Sequence, residues 1–103
     1  MQSLVALSVL VISLMVPGQL LAGDAAAGKV KSAICATCHG KAGISTGKMT
    51  PNLAGQKEGY LQKALKDFRG GVRKDAMMNT MAKTLSDEDI ANIAAYYASL
   101  SSK

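Results

Sequence analysis

The segment CATCHG, Cys35 to Gly40, contains both cysteines and the only histidine of the 103-residue chain. Two thiols separated by two residues, followed at once by an imidazole, can serve three kinds of chemistry. They can contribute ligands to a zinc site or form a redox-active dithiol. They can also attach a haem through two thioether bonds while the imidazole ligates the iron. The rest of the sequence has to distinguish among these three.

The supply of ligands argues against zinc. A structural zinc site needs four ligands, and the motif supplies three, with His39 closer to Cys38 than zinc-finger spacing allows. The chain has no further cysteine or histidine to complete the set. A thioredoxin-like dithiol expects a βαβ setting, whereas Cys-x-x-Cys-His is the pattern of c-type haem attachment. The motif therefore favours covalent haem, with zinc or a bare dithiol as the alternatives.

The N-terminal segment has the composition of an export signal. Residues 1–22 contain no charged side chain, and an apolar run from Leu4 to Val16 precedes Pro17-Gly18 and Ala22. That run is short for a membrane span and has the length of a signal-peptide core. We expect residues 1–22 to be a cleaved signal peptide and the mature protein to lie in the periplasm. An uncleaved membrane anchor is the alternative, because the segment lacks the usual Lys or Arg.

The size of the mature domain points to a cofactor. Removing 22 of the 103 residues leaves 81, and a chain that short usually needs a disulfide, a metal or a cofactor to be stable. A disulfide between Cys35 and Cys38 would close a loop of two residues and would constrain the unfolded chain very little. A haem, as a large apolar disc, would supply the missing core.

Residues 23–103 predict helices separated by Gly-rich loops, with no alternation typical of strands. Asp24 can cap a first helix in GDAAAGKVKSAIC, with its carboxylate near the positive end of the helix dipole. The apolar residues of EGYLQKALKDF share one helical face. Arg69 to Gly71 then ends this second helix.

The last helix has the clearest signals of the chain. In LSDEDIANIAAYYASL, Ser86 and Asp89 form a pair like a capping box, and Leu85 and Ile90 occupy the positions of a hydrophobic staple. Long loops in so small a domain usually have a function. Two segments without periodicity are predicted as such loops, residues 41–56 and 70–84.

In this order, the segments resemble the small bacterial class I c-type cytochromes. The resemblance is carried by AAGK, CATCHG, PNLAGQ, YLQKALKDFRGG, a methionine-bearing loop and LSDEDIANIAAYYASL, and it covers residues 23–103. It implies an all-α cytochrome c fold, in which three to four main helices wrap around one covalently bound haem c. It also implies electron transfer through an iron with histidine and methionine as axial ligands.

The resemblance assigns roles to individual residues. Cys35 and Cys38 match the thioether positions, and His39 matches the axial histidine. Pro51 matches a proline whose carbonyl accepts a hydrogen bond from the other nitrogen of that imidazole, which fixes the orientation of the ring. An ordinary turn is the alternative explanation for Pro51.

Two further positions match the close crossing of the first and last helices in this family. Gly28 corresponds to the small residue at the crossing, and Tyr96 corresponds to the aromatic residue that approaches it. A glycine that is merely tolerated and a tyrosine that simply fills the core are the alternatives.

The chain has no second histidine, which excludes ligation by two histidines, and the resemblance implies a methionine as the sixth ligand. A thioether suits reduced iron, and a His/Met pair raises the reduction potential. The segment before the last helix resembles relatives in which the ligand stands seven residues before the Leu at position 85, which selects Met78. Met81 is the next candidate, followed by Met49 and Met77. A methionine-rich copper site is the alternative from another class.

The charge of the chain bears on its partners. Lys and Arg exceed Asp and Glu by five, which suggests docking to an acidic patch on a redox partner. A solvated lysine surface without a preferred partner is the alternative. No basic cluster with interleaved aromatic residues predicts nucleic-acid binding. We expect a monomer without stable membrane insertion after signal cleavage.

Three functions from different classes follow from these observations. The first is a soluble periplasmic electron carrier that is not an enzyme and that transfers one electron between respiratory partners. The second is a haem enzyme or gas-binding protein with an open or displaceable sixth position. The third is a metal-binding module without haem. The sequence favours the carrier.

Overall fold

The computed structural model describes residues 22–103, together with Ser3, Val5, Ala6, Ser8, Val9 and Leu10. These residues contain helices and no strand, which confirms the all-α prediction. Most of the expected signal segment lies outside the described residues. Within the described part, no helix has the length and apolar character needed to cross a membrane. The five helices are α1 (Ala25–Lys31), α2 (Ala33–His39), α3 (Glu58–Arg69), α4 (Ala76–Ala82) and α5 (Asp87–Ser99).

The first predicted helix consists of α1 and α2, which meet at Ser32. Asp24 caps α1 as expected, since its carboxylate accepts hydrogen bonds from the amides of Ala26 and Ala27. The amide of Ser32 donates to Gly28 and its carbonyl accepts from Ala36, so the backbone path is nearly continuous. The haem motif occupies α2, which ends at His39.

Helices α3 and α5 build the core. Leu61 of α3 lies in one buried cluster with Ile93, Ala94 and Tyr97 of α5. The apolar face of α3 is the one that the helical spacing predicted. Arg69, the last residue of α3, donates to the carbonyl of Leu85 at 3.1 Å and to the Asp87 carboxylate at 2.7 Å. These two hydrogen bonds join the end of α3 to the start of α5.

The start of α5 confirms the predicted capping box. The Ser86 hydroxyl accepts a hydrogen bond from the Asp89 amide at 3.0 Å, and the Asp89 carboxylate accepts one from the Ser86 amide at 3.0 Å. Leu85 packs, partly buried, against the core cluster, and Ile90 is fully buried. Leu85 and Ile90, the two residues predicted to form the hydrophobic staple, are therefore both turned toward the protein interior.

The prediction of a loop over residues 70–84 was wrong, because this segment contains α4. Asp75 caps α4 by accepting a hydrogen bond from the Met78 amide at 2.9 Å. The Asn79 side chain accepts from the Asp75 amide and donates to the carbonyls of Phe68 and Arg73. A seven-residue helix is too short to show clear periodicity. These side-chain contacts, which are not visible as a repeat, stabilise it.

Helices α1 and α5 cross closely at Gly28, as expected. A Cβ atom at this position would lie 1.8 Å from the carbonyl oxygen of Asn92 and 2.9 Å from the Cβ of Tyr96. The nearest neighbour is therefore the backbone of α5 and not an aromatic ring. Gly23 lies in a similar contact with the carbonyl of Ala91. Small residues thus let α1 lie directly on α5.

Candidate haem site

A cavity of about 400 Å³ unites the residues that the sequence analysis selected. That volume lies in the range of cofactor pockets. Apolar side chains from α3 and α5 form much of the wall, among them Leu61, Leu65, Phe68 and Ile93. The predicted site residues all lie on the cavity wall, although they come from α2, the loop after it and α4: Cys35, Cys38, His39, Pro51, Met78 and Met81.

His39 is oriented for iron ligation. Its side chain is buried, and its Nδ1 lies 2.8 Å from the carbonyl oxygen of Pro51. Since a carbonyl can only accept, Nδ1 carries the proton and Nε2 keeps its lone pair free for a metal. The contact with Pro51 is the one that the resemblance implied.

The two cysteines lie one turn apart on α2 and are not joined in a disulfide. Cys35 is partly buried and Cys38 is exposed. Burial raises the pKa of the Cys35 thiol, and a backbone hydrogen bond offsets part of that rise. In the described residues, no group of three or more His, Cys, Asp or Glu side chains is placed to hold a metal ion. The geometry thus gives no support to the zinc alternative.

Four methionines border the cavity, but their exposure differs. Met49 and Met77 are 95% and 62% exposed, whereas Met78 and Met81 are partly buried. Met81 also borders a second groove beside α1, lined by Ala27 and other residues. Met78 does not border that second groove. Burial therefore separates Met78 and Met81 from the two exposed methionines, and Met78 stays the predicted ligand.

A polar section of the wall was missed in the sequence analysis. Arg73 lies on the cavity, with its guanidinium 4.6 Å from the centre of the Phe68 ring and one nitrogen 3.3 Å from the Tyr60 hydroxyl. Lys74 lies on the wall beside it. These cations could offset acidic groups on a cofactor. The adjacent basic pair after the Gly70-Gly71 break was the only signal in the sequence.

Tyr97 is a second residue that the sequence analysis missed. It lines the cavity and is 1% exposed, and its hydroxyl has no hydrogen-bond partner among the described residues. Burial raises its pKa to about 12, and a charged Cys35 thiol adds to the rise. The nearby Ser32 side chain lowers the pKa slightly, although it does not reach the geometry of a hydrogen bond. Burying a hydroxyl without a hydrogen-bond partner lowers the stability of the folded protein. Its position on the cavity wall therefore makes Tyr97 a candidate for a role in the site.

The positive charge of the chain is concentrated around the haem motif. Residues 25–57 contain five lysines and no acidic residue, whereas residues 58–103 contain seven basic and six acidic residues. Lys31 forms an ion pair with Asp89 at 3.5 Å. The other four lysines of the first segment are exposed: Lys29, Lys41, Lys48 and Lys57.

The donor set fits a haem. A buried imidazole with a free Nε2 and a partly buried thioether border the same largely apolar cavity, and two unpaired thiols lie on its wall. Histidine and methionine are the axial pair of c-type electron carriers. An apolar wall also suits a porphyrin ring.

Comparison with known proteins places these features in a family. The family model described as cytochrome c matches residues 25–101. Cytochrome c-554(548) of Halomonas halodenitrificans is 52% identical over 81 residues, covering 76% of this chain and 98% of that protein. Cytochrome c4 of Pseudomonas aeruginosa is 50% identical over 78 residues, which cover 76% of this chain and 39% of the relative.

A solved structure agrees with these relatives. The crystal structure of reduced recombinant cytochrome c4 from Pseudomonas stutzeri superposes with a TM-score of 0.74 at 44% identity. The match covers 78% of this chain and 47% of that one. The chain therefore spans less than half the length of these two c4 proteins, and nearly the whole of the c-554(548) protein.

Proposed function

Because the chain belongs to the cytochrome c family, we propose that it is an electron-transfer protein that carries one covalently attached haem c and moves single electrons between redox partners. The observation that carries this proposal is the cavity that unites the Cys-x-x-Cys-His motif with Met78. An iron closed on both faces suits electron transfer, because its surroundings change little between oxidation states. Catalysis would need an open position.

The residues of the chain have distinct tasks in holding the haem. Cys35 and Cys38 would supply the thioether bonds, and His39 through Nε2 and Met78 through its sulfur would bind the iron. The bound haem supplies an iron that takes up and releases one electron. Arg73 and Lys74, which lie on the cavity wall, would offset the charge of the propionates. The apolar wall would exclude water and would keep Met78 in place.

A reduced visible spectrum, recorded with and without carbon monoxide, tests this function. We expect the sharp bands of low-spin c-type haem, with little change on adding carbon monoxide, because Met78 occupies the sixth position. Fast stoichiometric binding of carbon monoxide by the wild type would contradict the carrier and favour a gas-binding protein or haem enzyme. Absence of a haem spectrum would contradict both.

The attachment is tested separately by Cys35→Ala and Cys38→Ala. We expect the double variant to carry no covalent haem and to yield little folded protein, because cofactor binding contributes folding free energy to a marginal chain. Intact mass and circular dichroism measure the two effects. A haem-free double variant that melts as cooperatively as the wild type would contradict the structural role of the haem.

We also propose that residues 1–22 direct export and that the mature protein begins near Gly23 in the periplasm. The apolar run ending before Pro17 supports this, and so does the haem motif, since thioether haem is installed outside the cytoplasm. The intact mass of native material should equal that of residues 23–103 plus one haem. A full-length mass without haem would contradict both claims.

For the partner, we propose a redox protein with an acidic docking patch, which the carrier meets as a monomer. The exposed lysines of residues 25–57 support this choice, because this segment of the sequence contains the haem motif and has no acidic residue. Electron exchange with an acidic redox protein should slow as salt is added. Lys48→Glu should slow it more than Lys103→Glu, which changes the charge equally at the C-terminus. Equal effects would contradict a localised docking region.

A further inference from the structure

The carbonyl of Pro51 is held in place by other residues. It accepts the hydrogen bond from His39 Nδ1 at 2.8 Å, yet Pro51 itself is exposed. A proline has no amide proton, so Pro51 cannot be anchored through its own nitrogen. The position of the Pro51 carbonyl oxygen therefore depends on the hydrogen bonds of the neighbouring loop residues.

The three residues after Pro51 are each tied to the turn that follows the haem motif. The Asn52 side chain accepts a hydrogen bond from the Ser45 amide at 2.7 Å. The amides of Leu53 and Ala54 both donate to the carbonyl of Gly43, at 2.8 and 3.1 Å. The Gly43 carbonyl and the Ser45 amide, on the first arm of the loop, are thus joined to residues 52–54 on the second arm.

Only glycine fits at position 43. Its φ is +73°, in the left-handed region that side chains disfavour. A Cβ atom there would lie 2.9 Å from the Ala54 nitrogen, 3.0 Å from the Ala54 Cβ and 3.1 Å from Cδ1 of Tyr97. Gly43 is therefore wedged between the returning arm of the loop and an aromatic ring of α5.

Tyr97 forms the rigid side of this contact. It is 1% exposed and belongs to the core cluster of α5. Its backbone carbonyl accepts a hydrogen bond from the Gly55 amide at 2.9 Å. Its ring supports the first arm at Gly43, and its carbonyl holds the second arm one residue beyond Ala54. Both arms of the loop are thereby fixed to one residue of α5, Tyr97.

We propose that Gly43 and Tyr97 act as positioning residues that hold the Pro51 carbonyl on His39 Nδ1 and so set the donor strength of the axial imidazole. The proposal rests on the proposed function, since it requires His39 to bind haem iron. A hydrogen bond from Nδ1–H to a carbonyl makes the other ring nitrogen a stronger donor. A stronger donor stabilises oxidised iron more than reduced iron. Loosening the loop should therefore raise the reduction potential.

The test uses Gly43→Ala in the full-length, haem-loaded protein. Two quantities are measured: the reduction potential, and the solvent exchange of the His39 Nδ1 proton by nitrogen-15 NMR of the reduced protein. We expect a higher potential and exchange about tenfold faster, as for the loss of an ordinary hydrogen bond. Gly71→Ala is the matched control. Its φ is +74°, but the nearest atom to an added Cβ is the Lys74 Nζ at 3.6 Å, so neither quantity should change.

A second pair of variants covers the case in which Gly43→Ala does not fold. Tyr97→Leu removes the ring edge that faces Gly43 and should raise the potential and the exchange rate. Tyr97→Phe keeps that edge and should restore wild-type values of both. If Tyr97→Leu lowers stability but leaves both quantities unchanged, the proposal is wrong. It is also wrong if Gly71→Ala shifts them equally. Wild-type protein without covalent haem would instead contradict the proposed function.

Discussion

Gly28 on α1 lies directly against the backbone carbonyl of Asn92 on α5. The same asparagine accepts a hydrogen bond through its side chain from the Asp24 amide at 2.9 Å. The start of α1 and its middle are thus both fastened to one residue of α5. Since α1 continues through Ser32 into the haem motif, this crossing also helps to determine where the motif lies.

The Gly28→Ala variant should destabilise the protein. An added Cβ would lie 1.8 Å from the Asn92 oxygen, so the two backbones would have to separate. We expect the free energy of unfolding to fall by about 2 kcal/mol, measured by denaturant unfolding of the haem-loaded protein. Gly47→Ala is the control, because the nearest atoms to its Cβ are 3.6 Å away. Equal midpoints for the two variants would show that the crossing is not tight.

The Met78→Ala variant should open the sixth position of the iron. We expect a shift toward high spin, a lower reduction potential and ready binding of carbon monoxide to the reduced protein, because a His/Met pair raises the potential. Visible spectra and redox titration measure these effects. Unchanged ligation would rule out Met78 as the ligand.

The matched variant is Met81→Ala. Met81 is also partly buried on α4, so its loss should cost packing free energy, on the order of 2 kcal/mol, and should leave the spectrum unchanged. If this variant opens the iron instead, the ligand is one helical turn further along α4. The electron-carrier proposal would survive that result, since the axial pair would still be histidine and methionine.

The capping box should make stability depend on acid pH. The hydrogen bond from the Ser86 amide, aided by Lys31, lowers the pKa of Asp89 below its ordinary value of 3.8. The ionised form is therefore favoured in the folded state. Its contribution is present above pH 3.8 and is lost as the pH falls through the lowered pKa. The stability difference between wild type and Asp89→Asn should shrink over that range.

Denaturant unfolding at several pH values measures this difference. Glu88→Gln makes the same chemical change one residue earlier in the first turn of α5, outside the capping box, and serves as the control. Ser86→Ala should cost about 1 kcal/mol at neutral pH by removing the hydroxyl acceptor. A constant gap between wild type and Asp89→Asn from neutral to acid pH would show that the carboxylate charge does not matter to the cap.

Tyr97 should make the protein sensitive to alkaline pH. Burial raises its pKa from 10.0 to about 12, so the folded state favours the neutral phenol. The contribution of the neutral phenol to the free energy of unfolding should be present in full below pH 10 and should be lost as the pH rises from 10 toward 12. When Cys35 forms a thioether it can no longer carry a charge, so its contribution to the raised pKa of Tyr97 is lost. The contribution from burial remains.

The Tyr97→Phe variant should lose this alkaline dependence. Denaturant unfolding followed by circular dichroism between pH 9 and 12 compares it with wild type and with Tyr60→Phe, whose side chain is about half exposed. If wild type and Tyr97→Phe lose stability in parallel, the buried phenol does not account for the alkaline loss.

Much of the fold follows from local signals in the sequence. The Asp24 cap, the Ser86–Asp89 capping box and the Arg69 end of α3 depend on neighbouring residues, and the structure has all three. The haem motif was recognisable for the same reason, because its spacing is short. Gly28 was placed correctly through the family resemblance, although its nearest contact is the backbone of Asn92.

The parts that the sequence did not reveal depend on contacts between distant residues. Helix α4 was missed because it is held by the Asn79 side chain and not by a periodic pattern. Tyr97 looked like one more apolar residue of α5, since its contact with Gly43 joins positions far apart in the chain. The place of Arg73 beside Phe68 and Tyr60 arises from the turn after α3. Such contacts are set by tertiary packing.

The Asn79 side chain couples the motion of α4 to that of α3. Through one amide group it joins the Asp75 nitrogen, the Phe68 carbonyl and the Arg73 carbonyl. The segment that bears Met78 therefore cannot swing away as a free flap, because its departure breaks bonds at the end of α3 as well. Local opening of this kind is a cooperative unit with its own free energy. If Met78 is the ligand, release of its sulfur would then be a rare, collective event, and the lifetime of the bond to iron would depend on an amide that does not line the cavity.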